Sequence, residues 1–209
     1  MNVITELASS INRKDEMPNK ILAKKIAETN NTNAVKVLIG LLQDENKDVR
    51  YNSIKVLYET GALKPGMISG YCTEFIALSK SKDNRMQWGA MTALHVIVKE
   101  KPALIYRSIP ALLQIEKNGS VITRDNFVGI LIHLYSLKQY AENIVPLLVE
   151  QLAICPSNQL PMYAESFLKV IRGDHKGKLL KLLTSRVGDF EKERKRKRVE
   201  KVIKKLQLR

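Results

Sequence analysis

The apolar positions of the chain repeat one helical face at a fixed spacing. In residues 48–57 (DVRYNSIKVL), apolar or small side chains stand at Val49, Ser53, Val56 and Leu57, the i, i+4, i+7, i+8 pattern of an amphipathic helix. The pattern returns every 37 residues, and the equivalent sets are Met86, Ala90, Ala93 and Leu94, then Thr123, Phe127, Ile130 and Leu131, then Leu160, Ala164, Phe167 and Leu168. This register predicts that Leu57, Leu94, Leu131 and Leu168 are equivalent core positions.

The other half of each period also repeats. The matching apolar pairs are Leu38 and Leu41, Phe75 and Leu78, Leu112 and Ile115, and Val149 and Leu152. Each period therefore predicts a helix A, a short break rich in Asn, Asp, Ser or Gly, and a helix B. The segment GKLLKLLTSRV with FEKERKRKRVEKVIKKL predicts a further pair, and VITELASSIN with PNKILAKKIAE predicts a degenerate opening pair. The chain is thus predicted to be all-α, with about twelve helices and no β-sheet.

Two-helix units of this length resemble the HEAT and armadillo-like repeat family. The match lies in the Val49-Arg50, Ser53 and Val56-Leu57 sequence, while Gln87, Phe127 and Pro161 depart from the family pattern in later units. The resemblance implies a right-handed α-solenoid whose B helices line a concave binding surface. It also implies that Arg50 and Arg124 bridge to acidic residues of an adjacent unit. The predicted organisation is a capping pair over 1–31, four repeats over 32–174 and a basic capping pair over 175–209.

Three columns of B-helix side chains are predicted to lie away from the A helices. The predicted partner-binding residues in these columns are Tyr51, Lys55, Tyr58, Trp88, Thr92, His95, Asp125 and Lys169. Two interpretations of the aromatic members stay open: packing between neighbouring B helices, or an aromatic and basic contact patch for a partner.

Positive charge is concentrated at the end of the chain. The formal net charge is +14, and residues 190–209 contain ten Lys or Arg against three Glu. Apolar Val199, Val202, Ile203 and Leu206 recur with helical spacing, which predicts an amphipathic capping helix. Within it, Arg194, Lys195, Arg196, Lys197 and Arg198 are candidate phosphate contacts or a nuclear-import-like signal. A solvated cap is the alternative.

No catalytic or metal-binding pattern occurs, so we expect no enzyme activity, no cofactor and no metal site. Cys72 and Cys155 lie among apolar neighbours and are predicted to be buried thiols. No run approaches the ~20 apolar residues of a membrane span, so a soluble, cytoplasmic protein is expected, or a nuclear one in a eukaryote. The predicted function is a non-enzymatic scaffold for a protein partner. The alternatives are a nucleic-acid-binding protein and, from a resemblance to HEAT-like alkylpurine DNA glycosylases, an enzyme using Trp88 and Asp125.

Overall fold

The computed structural model describes residues 2–173 and 175–208, and every regular element in this part of the chain is helical. The α-helices are α1 Val3–Glu6, α2 Met17–Thr29, α3 Thr32–Gly40, α4 Lys47–Leu63, α5 Gly66–Ser69, α6 Cys72–Leu78, α7 Asn84–Ile97, α8 Pro102–Asn118, α9 Val121–Ser136, α10 Lys138–Ile154, α11 Leu160–Leu168, α12 His175–Ser185 and α13 Glu193–Gln207. Two 3-10 turns, Leu41–Gln43 and Val187–Asp189, follow α3 and α12. The all-α prediction is therefore confirmed.

The helices fall where the repeat register predicts them. The pairs α3 and α4, α6 and α7, α8 and α9, and α10 and α11 are the A and B helices of the four periods, and α12 and α13 form the predicted fifth pair. The opening pair is less regular, because α1 is a single turn and Asn12 then adopts a left-handed conformation with φ of 55°. Asp174, where the predicted repeat boundary falls, lies outside the described residues.

Capping side chains explain why the B helices begin in register. The Asn46 side chain accepts a hydrogen bond from the Asp48 backbone N–H at 2.9 Å, and Asp83 accepts one from Arg85 N–H at 2.9 Å. Ser120 accepts one from the Thr123 N–H at 3.2 Å. These three caps are spaced by the same 37 residues, and each satisfies an N–H group that the first helical turn leaves unpaired.

The predicted core positions are buried. Leu57, Leu94 and Leu131 are fully inaccessible, and Leu168 is 8% exposed. Of the sixteen positions in the repeated helix-B pattern, only Val49 is half-buried and the others are buried. The register prediction is confirmed, because each helix pair buries the same face.

The arginines of the Val-Arg positions bind backbone carbonyls of their own helix pair. Arg50 donates to the carbonyls of Asp44 and Glu45 at 2.7 and 3.0 Å. Arg124 donates to the carbonyls of Glu116 and Lys117, and its Nε lies 3.7 Å from the Glu116 carboxylate. The prediction that these arginines bridge to an acidic residue of an adjacent unit is therefore wrong. The guanidinium instead satisfies carbonyls that the end of helix A leaves free, and its positive charge suits the negative end of the helix dipole.

Where a period lacks this arginine, another residue takes over the contact. Gln87 donates to the Ser81 carbonyl at 3.3 Å. Pro161 has no donor, and in its period Arg186 donates instead to the carbonyls of Leu152 and Cys155, at 2.8 and 2.9 Å. The end of α10 is thereby capped by an arginine from a later part of the chain.

The chain divides into two compact units, one ending at Phe127 and the second beginning at Val128. In the first unit, α4 packs against both α2 and α7. The close approach of α4 and α7 requires Gly89, because a Cβ at this position would lie 2.7 Å from Ile54 Cγ1. In the second unit, α13 packs against α11 and α12, and α10 against α11 and α12. The helices α4 and α7 in one unit, and α13 in the other, carry most of the predicted site residues.

Candidate interaction surfaces

Lys55 is the centre of an ion-pair network in the first unit. Its Nζ lies 2.9 Å from the Glu16 carboxylate and 2.8 Å from that of Glu59, and it stands 5.0 Å from the centre of the Tyr58 ring. Burial by itself lowers the pKa of Lys55, but the hydrogen bonds to Glu59 and Glu16 outweigh it and raise the pKa above its usual range. Lys55 is only 6% exposed, so it joins α4 to the start of α2 and is not an open contact residue.

Tyr51, Tyr58 and Trp88 form an aromatic cluster between α4 and α7. The rings of Tyr58 and Trp88 are tilted, with their centres 6.0 Å apart. The guanidinium of Arg85 stands 5.1 Å from the Tyr51 ring centre and 5.8 Å from that of Trp88. Such stacking of Arg on aromatic faces contributes about 0.5–2 kcal/mol, depending on desolvation. This geometry favours the packing interpretation for Tyr58, which is buried, and leaves Tyr51 and Trp88 half-buried at the surface.

Asp83 and Glu16 hold this cluster in place. The Tyr51 hydroxyl donates to Asp83 at 2.8 Å, and Arg85 lies 3.2 Å from Glu16. The hydrogen bond from Lys55 lowers the pKa of Glu16. Burial would raise the pKa of Asp83, but the hydrogen bonds from Tyr51 and from two backbone N–H groups lower it overall. Both carboxylates are therefore held in their charged form, and they fix the aromatic rings and Arg85.

Thr92 and His95 are tied to the next B helix by an asparagine. The Asn126 side-chain amide donates to Thr92 Oγ1 at 2.9 Å, and its oxygen lies 2.9 Å from His95 Nδ1. Asn52 stands two 37-residue periods earlier, at the equivalent register position, and it accepts a hydrogen bond from Asn19 at 2.6 Å. Asn126 lies outside the three predicted columns, although its register match with Asn52 is visible in the sequence. Asp125 is half-buried on α9.

A polar cleft of about 400 Å³ opens beside this cluster. Its lining residues are Ser9, Asn12, Arg13, Lys14, Asp48, Tyr51, Asn52 and Arg85. Ser9 Oγ and Arg85 Nε are buried and find no hydrogen-bond partner within the described residues. Buried polar atoms in native proteins are nearly always paired, so these two atoms are exceptions at the wall of the cleft.

The predicted basic run of α13 does not form one open face. Arg198 makes a two-pronged ion pair with Glu165 on α11, at 2.8 and 2.6 Å, and Lys195 donates to Asn158. Within the helix, Lys197 lies 2.8 Å from Glu193, and Arg196 lies 3.9 Å from Glu200. Arg194 is exposed. The five candidate phosphate contacts therefore point in several directions, and Arg198 is already occupied.

The capping role of α13 is borne by its apolar side. Val199, Val202 and Leu206 are buried, and Ile203 is half-buried, where the helix packs on α11 and α12. The predicted amphipathic helix is therefore confirmed. Lys169, predicted for the groove, is exposed directly after α11 and lines a cleft together with Arg198. This cleft therefore combines one predicted groove residue with one residue of the basic tail.

Both thiols are buried, as the sequence predicts, and neither is part of a disulfide. Burial raises the pKa of the Cys72 thiol to about 11, so this group stays protonated at neutral pH. Among the described residues, no group of three or more His, Cys, Asp or Glu is placed to hold a metal ion. None of the helices there has the length and apolar character that a membrane crossing requires.

Comparison with known proteins gives a fold but no family. No protein-family model matches the sequence, and no curated protein matches it significantly. The chain is similar to the crystal structure of an engineered protein from the Northeast Structural Genomics Consortium, with a TM-score of 0.61 and 16% sequence identity. The match covers 100% of this chain and 98% of that chain. At this identity the likeness concerns the helical fold alone.

Proposed function

We propose that the protein is a non-enzymatic scaffold of stacked HEAT-like repeats, which binds a protein partner along the concave side formed by its B helices. The observation that carries this proposal is the polar cleft beside Tyr51 and Arg85, with its two buried unpaired atoms. The 37-residue register supports the solenoid, since equivalent faces that cannot be buried by one helix pair must stack. We further propose a cytoplasmic location, because two cysteines outside any disulfide suit a reducing compartment.

The chemistry of the first unit favours a protein partner over nucleic acid. Tyr, Trp and Arg are the residues that dominate binding energy in protein interfaces. Here Asp83 binds Tyr51, Glu16 binds Arg85, and Arg85 stacks on Trp88. The same surface mixes carboxylates with its cations. A phosphate backbone would meet those carboxylates, whereas a protein surface can offer groups of both signs.

Site-specific photo-crosslinking in cells tests this proposal. A photo-reactive amino acid at Asp48, which lines the cleft on a B helix, should give a discrete protein adduct that resists nuclease treatment. The matched position is Lys36, which is exposed on the A helix α3 of the same unit and should give none. Lys14→Glu, at the cleft, should reduce the Asp48 adduct, while Lys24→Glu, exposed on α2, should leave it unchanged.

Two outcomes would overturn the proposal. Equal adducts from Asp48 and Lys36 would show that the cleft side is not favoured. An adduct that nuclease treatment removes would show that the partner is a nucleic acid.

A further inference from the structure

A second cleft, between α11 and α13 of the second unit, has a different character from the first. Its volume is about 330 Å³, and the lining residues are Glu165, Leu168, Lys169, Arg198, Lys201, Val202 and Lys205. Leu168 and Val202 are buried and form its apolar part, whereas Lys169, Lys201 and Lys205 are exposed. Lys201 and Lys205 lie one helical turn apart, which brings their side chains to the same face.

The charges of this cleft do not cancel. Its one carboxylate, Glu165, is engaged by Arg198, whose hydrogen bonds lower the pKa of Glu165, with smaller contributions from Lys169 and Lys201. No salt bridge found in the described residues uses Lys169, Lys201 or Lys205. The Arg198–Glu165 pair therefore neutralises itself, and three lysines remain around a small apolar floor.

We propose that the α11–α13 cleft, where Lys169, Lys201 and Lys205 surround the Arg198–Glu165 pair, binds an acidic segment of the protein partner. This inference rests on the proposed function, since it names the chemistry of that partner. A glutamate side chain fits the cleft in both respects, because its methylene groups can cover Leu168 and Val202 while its carboxylate meets the lysines. Duplex DNA fits less well, because its phosphates lie on a wide cylinder and cannot reach an apolar floor between two helices.

Fluorescence anisotropy with a labelled decaglutamate peptide and the full-length chain tests the inference. The cleft variant Lys201→Gln/Lys205→Gln should raise the peptide Kd by about tenfold or more, since charge pairs at a defined site contribute strongly to affinity. The matched control is Arg194→Gln/Lys204→Gln, which removes two exposed charges from the same helix outside the cleft lining. It should change the Kd by less than about threefold, as screened charges do.

Glu165→Gln supplies a test that loss of folding cannot imitate. It frees Arg198 and removes the only carboxylate of the cleft lining, so it should tighten peptide binding about threefold. Weaker binding in this variant would overturn the inference. So would an absence of peptide binding by the unchanged chain, or equal losses in the cleft and control variants. Tighter binding of a labelled DNA duplex than of the peptide, with the same cleft dependence, would assign the cleft to nucleic acid instead.

The two proposals can fail separately. If Asp48 gives its protein adduct but decaglutamate does not bind, only the acidic-segment inference fails. If decaglutamate binds at the cleft but Asp48 gives no adduct, the proposed partner surface of the first unit fails while the cleft stands.

Discussion

Lys55 and Lys201 are both lysines on B helices, yet they occupy opposite environments. Lys55 is buried between the carboxylates of Glu16 and Glu59, whereas Lys201 is exposed in a cleft whose only carboxylate is taken by Arg198. A buried charge must be paired for the chain to fold, because desolvation costs several kcal/mol. An exposed charge carries no such requirement. Lys55 therefore helps to hold the structure of the first unit, whereas Lys201 remains available to another molecule.

The two clefts also differ in the aromatic residues around them. In the first unit, Arg85 stacks on Tyr51 and Trp88, and Tyr58 packs on Trp88. The cleft of the second unit is lined by no aromatic residue. The first cleft borders stacked aromatic rings, whereas the second is surrounded by lysine side chains that are long and exposed. A partner would gain shape recognition from the first and charge recognition from the second.

Both units bury equivalent leucines in their cores. Leu94→Ala in the first unit and Leu131→Ala in the second should each lower the free energy of unfolding by about 2–5 kcal/mol, because both side chains are fully buried. Urea unfolding followed by circular dichroism measures this. A loss below about 1 kcal/mol at either site would show that the repeat register does not describe that unit's core.

Lys55→Met tests whether the first unit depends on its paired charges. It leaves Glu16 and Glu59 without their shared cation, so the free energy of unfolding should fall by about 2–3 kcal/mol, below the usual cost of breaking a fully buried pair because both carboxylates are partly solvated. Lys201→Met is the matched control and should change it by less than about 0.5 kcal/mol. Similar losses in the two variants would remove the distinction between the units.

Arg198→Gln and Arg196→Gln test whether charges in the basic run of α13 differ in their contribution to stability. Arg198 pairs with Glu165 across two helices, but both side chains are about 40% exposed, so its loss should cost only about 0.5–1 kcal/mol. Arg196 lies 3.9 Å from Glu200 on its own helix, and its loss should cost less than about 0.5 kcal/mol. Denaturant unfolding at low salt measures both, and a larger loss for Arg196→Gln would reverse the assignment.

The Glu165 pair also predicts a pH dependence. The folded pKa of Glu165 lies below its unfolded value of about 4.3, so the pair stabilises the protein fully above that pH. Its contribution should disappear as the pH falls through the lower folded pKa. Glu165→Gln should therefore unfold with a shallower pH dependence below about pH 4.5 than the unchanged chain. Parallel curves would show that the pair contributes nothing to folding.

Most of the fold could be predicted because it depends on local, repeated signals. The caps Asn46, Asp83 and Ser120 and the core leucines recur at one spacing, and each follows from helix periodicity alone. The candidate surfaces could be predicted only in part. The repeat columns predicted a groove position for Lys55 and Tyr58, but they gave no information on which residues near α2 contact these side chains. Glu16, which pairs with Lys55, precedes it by 39 residues.

The basic tail shows the same limit from the other side. The run from Arg194 to Arg198 is conspicuous in the sequence, but consecutive residues on a helix face different directions. Lys201 and Lys205, at positions i and i+4 of α13, lie on the same helix face and line the cleft. Lys169, which follows α11, lines it too. Similarly, Pro161 signalled the absence of a capping arginine, but nothing near it identified Arg186 as the replacement.

Thermal unfolding with and without decaglutamate tests the division between the two units most directly, because one curve reports both stability and binding. We expect Lys55→Met to lower the Tm and to keep the peptide-induced rise in Tm. We expect Lys201→Gln/Lys205→Gln to keep the Tm and to lose that rise. A double Gln variant that melts as early as Lys55→Met, or a Lys55→Met variant that no longer responds to the peptide, would contradict this division.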